Sequence, residues 1–163
     1  MFLFYFSILS RINFTEVATI DVGKLVYHIE ENISDSTQLI ISTRGTLSSV
    51  KDGRREIKIG NDTIDRLRLY VEGTANRARF RWISGFVQIN GTSTIIAVDR
   101  WNHCLRNISL LNNEFYSETF AWNCTHSGSD DGLMIEEFNG PYDIIEGYYQ
   151  NIFFNVFFHE QKF

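Results

Sequence analysis

The side chains that most often carry enzyme chemistry are thinly spread in this 163-residue chain. Its four histidines, His28, His103, His126 and His159, are scattered. The zinc-protease signature H-E-x-x-H, the phosphate loop G-x-x-x-x-G-K-[ST], the nucleophile elbow G-x-S-x-G and paired C-x-x-C are all absent. His103 stands beside Cys104, but neighbours on a strand point to opposite faces, which makes a poor nucleophile and base. Asp130 and Asp131, followed by Glu136 and Glu137, offer oxygen ligands for calcium. The run D-D-G lacks the alternating spacing of a calcium loop, so a solvated acidic turn is the favoured reading, with a metal site at Asp130 and Asp131 as the alternative. Arg77, Arg79 and Arg81 alternate along one strand face, with Arg66 and Arg68 one or two strands away. Such a set suits a sulfate or phosphate gripped through paired guanidinium contacts, or else is the wet face of a sheet. Trp101 and Trp122 suit stacking on a sugar at a sandwich rim, or burial beside a disulfide. Together these residues point to binding, with no catalytic residue and no cofactor.

The elements that must position them read as strands. Residues 24–30, 38–43, 55–60 and 64–71 alternate or carry β-branched runs, and residues 44–53 read as a loop of Gly, Ser, Thr, Lys and Asp. In R-E-I-K-I-G, Ile57 and Ile59 are expected inward, with Glu56 and Lys58 outward. Residues 77–91 (RARFRWISGFVQING) form the most regular text, expected to be a hairpin turning at Ser84 and Gly85. That hairpin would pair Ile83 with Phe86 and Trp82 with Val87, leaving a wetter face of Arg79, Arg81 and Gln88. Residues 93–99 (STIIAVD) are continuously apolar, as in a strand covered on both sides. Residues 104–111 and 115–122 form the next pair of strands about a turn at Asn112 and Asn113, which brings Cys104 and Cys124 together. Residues 133–138 read as a weak strand, and residues 148–158 close the chain with period-two text after a turn at 139–141. About ten short strands with no helical period imply an all-β fold, an antiparallel β-sandwich of jelly-roll-like or lectin-like kind.

Composition sets the compartment and the size. One domain, residues 21–163, accounts for the chain, since 44% hydrophobic content with 14 Phe and 7 Tyr is ample for a single core. Residues 1–100 hold 13 Lys or Arg against 11 Asp or Glu, and residues 101–163 hold 2 against 9. An acidic half of that kind argues against nucleic-acid binding. Six N-x-[ST] sequons, at Asn13, Asn32, Asn61, Asn90, Asn107 and Asn123, are present where 13 Asn and 24 Ser or Thr predict about two by chance. Two cysteines, Cys104 and Cys124, fit one disulfide in an oxidising lumen, worth about 3 kcal/mol for a loop of that length. The expected location is therefore secreted or extracellular, with N-glycans. Residues 2–9 (FLFYFSIL) resemble a signal-peptide apolar region but lack a basic segment before them. Residues 1–20 are an atypical signal peptide, part of a longer one, or a first buried strand. At about eight apolar residues the run is too short to span a bilayer, and no stable membrane span is expected elsewhere.

The order of pieces then resembles a known family. The succession LVYHIEENISDSTQLIIS, REIKIGNDTIDRLR and FRWISGFVQING, within residues 25–123, is similar to the domain family named after farnesoic acid O-methyltransferase of arthropods. Arg81 departs from its pattern by splitting Phe80 from Trp82. The resemblance implies a β-sandwich found in secreted or modular proteins, and it fixes no catalytic residue. A methyltransferase of the usual kind needs a doubly wound α/β domain with a glycine-rich loop, and no G-x-G occurs here. The expected function is a non-catalytic binding module for an extracellular glycan, lipid or protein. The rival readings are a small-molecule methyltransferase-type enzyme and a surface-coat glycoprotein.

Overall fold

A computed structural model of the chain describes residues 25–61, 70–90, 92–124, 140–146 and 152–155, with residue 146 and the last four described by backbone alone. The chain forms an antiparallel β-sandwich. Its first sheet is a meander of four strands: β1 (His28–Glu31), β2 (Leu39–Ser42), β3 (Thr46–Lys51) and β4 (Arg54–Gly60). The second has five strands in the order β5 (Gly73–Thr74), β9 (Glu114–Ala121), β8 (Cys104–Leu111), β7 (Ile95–Asp99) and β6 (Ile83–Gln88). A further hairpin pairs β10 (Asp143–Glu146) with β11 (Ile152–Asn155). A 3-10 turn, Arg100–Asn102, links β7 to β8.

Period-two alternation divides the side chains between two apolar layers. Between the sheets, Ile40, Leu47 and Ile59 meet Phe80, Ile83, Phe86, Ala97 and Ile108. Each of the larger ones contributes about 1.5–3 kcal/mol by leaving water. On the outer face of the second sheet, Val87, Ile96, Val98 and Leu105 are covered by Ile144 of β10. That second layer explains why all five residues of β7 are buried, as its continuous apolar text predicts. The hairpin of β8 and β9 also matches expectation, with Asn112 and Asn113 at φ 51° and 65° in the left-handed region that a two-residue hairpin turn uses. It brings Cys104 and Cys124 into a disulfide with Cα atoms 5.0 Å apart and a sequence separation of 20.

Three expectations are overturned. Residues 44–53 are not a loop, since they contain β3, which is buried from Thr46 to Val50. Its hydroxyls are tolerated there because they are bonded: Thr43 Oγ1 and Thr46 Oγ1 stand 2.7 Å apart, and Arg55 donates to Ser48 Oγ at 3.0 Å and to Thr46 Oγ1 at 2.7 Å. In β4, Leu47 pairs with Ile59 but Ser48 pairs with Ile57, so Lys58 is the extra residue of a β-bulge. The bulge reverses the side-chain pattern there: Ile57 is 44% exposed while Lys58 is half-buried.

The third correction concerns Ser84 and Gly85. They do not turn, because β6 runs through them with a bulge between Ile83 and Gly85 and pairs with β7. Residues preceding it bridge elsewhere, Arg79 to Val71. Neither face of β6 is wet, Phe86 lying between the sheets and Val87 beneath β10. Gly85 has none of the positive φ that a tight hairpin demands. Close approach is what requires glycine there: a Cβ would strike Asp143 Oδ1 and stand 3.2 Å from Asp143 Cα. Gly85→Val should therefore cost about 1–3 kcal/mol by overpacking β10 against β6. Urea denaturation reads this as a lowered midpoint at an unchanged slope, and an unchanged midpoint would show that β10 yields freely.

Candidate functional site

One carboxylate fixes the end of the sandwich where β7 finishes. Asp99 is fully buried. Its Oδ1 accepts the backbone N–H groups of Arg81 at 3.0 Å and Trp82 at 3.2 Å, and its Oδ2 accepts Asn102 Nδ2 at 2.7 Å. Across from it, 3.5 Å away, lies the guanidinium of Arg106, also wholly buried. Burial pushes the Asp99 carboxyl above its ordinary value, against the opposing charge of Arg106 and the three N–H donors. Arg106 in turn donates to the carbonyls of Val71, Arg79 and Glu118 at 3.2, 3.3 and 3.4 Å. Its plane lies over Tyr70 and Phe80, 4.8 and 5.0 Å from the ring centroids.

This buried pair aligns two short segments, residues 81–82 and 100–101, each of which reads Arg-Trp. Their side chains cross over. Arg81 lies 5.5 Å from the centroid of Trp101, and Arg100 lies 5.1 Å from that of Trp82, while the two indoles meet edge to face at 4.6 Å. Arg44, in the turn between β2 and β3, also lies over Trp101, at 4.7 Å. Tyr27 packs on Trp82 at 4.9 Å and Tyr142 on Arg100 at 4.6 Å. The result is a rim of three guanidiniums held on an aromatic frame. Arg44 and Arg81 are exposed, Arg100 and both indoles are half-buried, and among the described residues none of the three cations faces a carboxylate within ion-pair distance. Chemically, such an array can present several N–H forks to an anion.

Comparison by sequence finds no family model and no curated protein that matches the chain. Comparison by structure does find likeness. A structural genomics protein of unknown function from Bacteroides thetaiotaomicron matches with a TM-score of 0.61 and 24% identity over 80% of this chain and 32% of that one. An auxiliary nutrient binding protein from the same organism matches with a TM-score of 0.63 and 23% identity over 86% and 37%. This chain thus spans about a third of the length of either protein. At these identities the likeness is one of fold.

Of the residues singled out from sequence, Arg81 and Trp101 are in the rim. Arg77 and Arg79 are not: Arg79 donates to the carbonyls of Asn76 and Ala78, and Arg77 is exposed beside the β5 turn. Arg66, Arg68, Asp130, Asp131 and Asn13 lie outside the described residues, among which no cluster of three or more His, Cys, Asp or Glu forms a metal site. Cys104 is bonded to Cys124, so no thiol stands beside His103. Trp122 packs against the outer layer of the second sheet. Among the sequons, Asn90 and Asn123 are exposed, and Asn32 and Asn61 are half-buried. Asn107 sits mid-strand with its Nδ2 donating to Glu118 at 2.9 Å. Among the described residues no helix is long and apolar enough to cross a membrane. Sequence reasoning missed Arg44, Trp82, Arg100 and Tyr142. The repeated Arg-Trp dipeptide was the available signal, because pairing of Ile83 with Asp99 places the two copies side by side.

His103 closes the rim. Its backbone is left-handed, at φ 59°, and its Nδ1 accepts the Gly140 N–H at 3.0 Å, which puts the ring proton on Nε2. Burial first, and the charge of Arg81 second, push its pKa below the ordinary histidine value. The folded state therefore takes up this proton less readily than the unfolded chain. Stabilisation by the neutral ring is complete above about pH 6.5 and is lost progressively as pH falls below it. NMR titration from about pH 8 to about pH 5 should show the Gly140 amide losing its hydrogen bond on the acid side. A Gly140 signal that does not follow the His103 ring would remove this contact from the account.

Proposed function

We propose that this chain is a secreted, N-glycosylated β-sandwich module that binds an extracellular ligand without catalysis, and that the arginine and tryptophan rim is its recognition surface. The observation that carries the reading is the rim itself, with three guanidiniums that face no carboxylate among the described residues, held on an aromatic support. Guanidinium forks pre-oriented on indole faces lose little freedom on binding and match carboxylate or sulfate groups in paired contacts. An acidic glycan, bearing uronate or sulfate groups, is the ligand class this chemistry favours. The disulfide suits an oxidising compartment. One structural neighbour is named an auxiliary nutrient binding protein, which is in keeping with a binding role for this fold. Kinship with the farnesoic acid O-methyltransferase-like domains remains part of the proposal, supported by strand text. Methyl transfer is not, since the described strands pair antiparallel and the crevice that holds a nucleotide cofactor lies at the carboxyl ends of parallel ones.

Titration calorimetry with sulfated or uronate oligosaccharides against neutral ones tests the reading. The charged ligands should bind, weaken with salt, and lose about tenfold in affinity in Arg44→Gln, whose side chain lies over the face of Trp101. Equal binding of neutral and charged sugars, or an indifferent Arg44→Gln, would move recognition away from the rim.

Secretion has its own test. Intact mass from a eukaryotic secretory host, before and after enzymatic glycan removal, should show occupancy at the exposed Asn90 and Asn123. A protein retained in the cell without glycans would end the extracellular assignment.

A further inference from the structure

At the end of the sandwich opposite the rim, a cavity of about 260 Å³ opens between the two sheets. The rim gathers at the β2–β3 turn, whereas the cavity reaches Gln38, where the chain enters β2 from the other side. Its floor is core, made by Ile40, Leu47, Ile59, Ile95 and Ile108, with Phe115 at the side. Its mouth is polar and includes Gln88, Thr94 and Lys58.

Close-packed interiors leave few voids larger than a water, and this one would hold the equivalent of about eight or nine waters at roughly 30 Å³ each. Water finds partners at the mouth and none on the floor, because each buried molecule needs two to four polar neighbours. The floor is therefore suited to something that is not water. Lys58 is the single ionisable group among the lining residues. The bulge in β4 accounts for its presence, since an alternating strand would have sent it to the outer face. Its ammonium donates to Glu56 at 2.7 Å, but the Glu56 side chain is 72% exposed, and a pair so open to solvent is readily exchanged for another carboxylate.

We propose that this cleft binds a short aliphatic carboxylate, with the chain on the isoleucine floor and the acid group at Lys58. The site is independent of the rim and of its ligand.

Octanoate, of about the size the cavity admits, is the probe, and octanol is its uncharged counterpart. Titration with octanoate, followed by methyl NMR, should shift the δ-methyl signals of Ile40, Ile59, Ile95 and Ile108 and leave the rim tryptophans unmoved. Lys58→Gln should weaken octanoate about fivefold and leave octanol unchanged. Ile95→Phe, which fills the cleft from its edge, should abolish both, and it is checked by an unaltered spectrum elsewhere. Octanoate that moves none of the four methyls at millimolar concentration, or moves those of Ile40, Ile59 and Ile108 in Ile95→Phe as it does in the parent protein, overturns the site. If the two probes bind alike and Lys58→Gln affects neither, the proposed carboxylate recognition is overturned even where the octanoate arms succeed.

Discussion

Everything at the rim end of the sandwich depends on two charges taken wholly out of water, Asp99 and Arg106. Desolvating such a pair costs several kcal/mol per ion, and attraction between the two offsets this only when the remaining hydrogen-bonding capacity is filled. Here it is filled from both sides. Asp99 collects two backbone N–H groups and an asparagine amide, and Arg106 collects three carbonyls. Four of those partners, on Val71, Arg79, Arg81 and Trp82, belong to a part of the chain with little regular ladder, where among the described residues between Gly60 and Ile83 the two-residue β5 and one isolated bridge are the only strand pairings. The buried pair does for residues 70–82 what a strand ladder does elsewhere, by giving their carbonyls and amides fixed partners.

The five-stranded sheet explains a second constraint. A sheet with one wet face alternates cleanly, and a sheet covered on both faces does not. This one carries the core on its inner side and β10 on its outer side, so β6 and β7 have no wet register. Gly85 marks the place where the outer layer comes nearest, close enough that no side chain fits.

That geometry also decides what could be read from sequence. Residues 93–99 were legible because an unbroken apolar run has few explanations other than a doubly covered strand. The hairpin of β8 and β9 was legible because Asn112 and Asn113 are turn residues and the cysteines flank it. Residues 77–91 misled because Ser-Gly serves a tight turn and a close approach equally well, and only the position of Asp143, nearly sixty residues later, distinguishes them. The strand β3 was missed because Thr46, Ser48 and Ser49 look solvated until Arg55 is seen bonded to two of the hydroxyls in this stretch. Of the rim, Arg81 and Trp101 were in view as separate candidates. Their partners were not, because crossing of the two Arg-Trp pairs requires the register of β6 on β7, which the supposed turn had concealed. Lys58 was assigned to the wet face for a related reason: a bulge cannot be seen in one strand alone.

The bond between Cys104 and Cys124 has one more consequence, and it is mechanical. It joins the start of β8 to the chain just past the end of β9, so tension along the backbone passes through sulfur and bypasses the residues between the two cysteines. Those residues would otherwise add about 70 Å of contour length when extended. Under load, the ladder between β8 and β9 is shielded from shear. Arg106, two residues inside the bridge, is shielded with it for as long as the bond is oxidised.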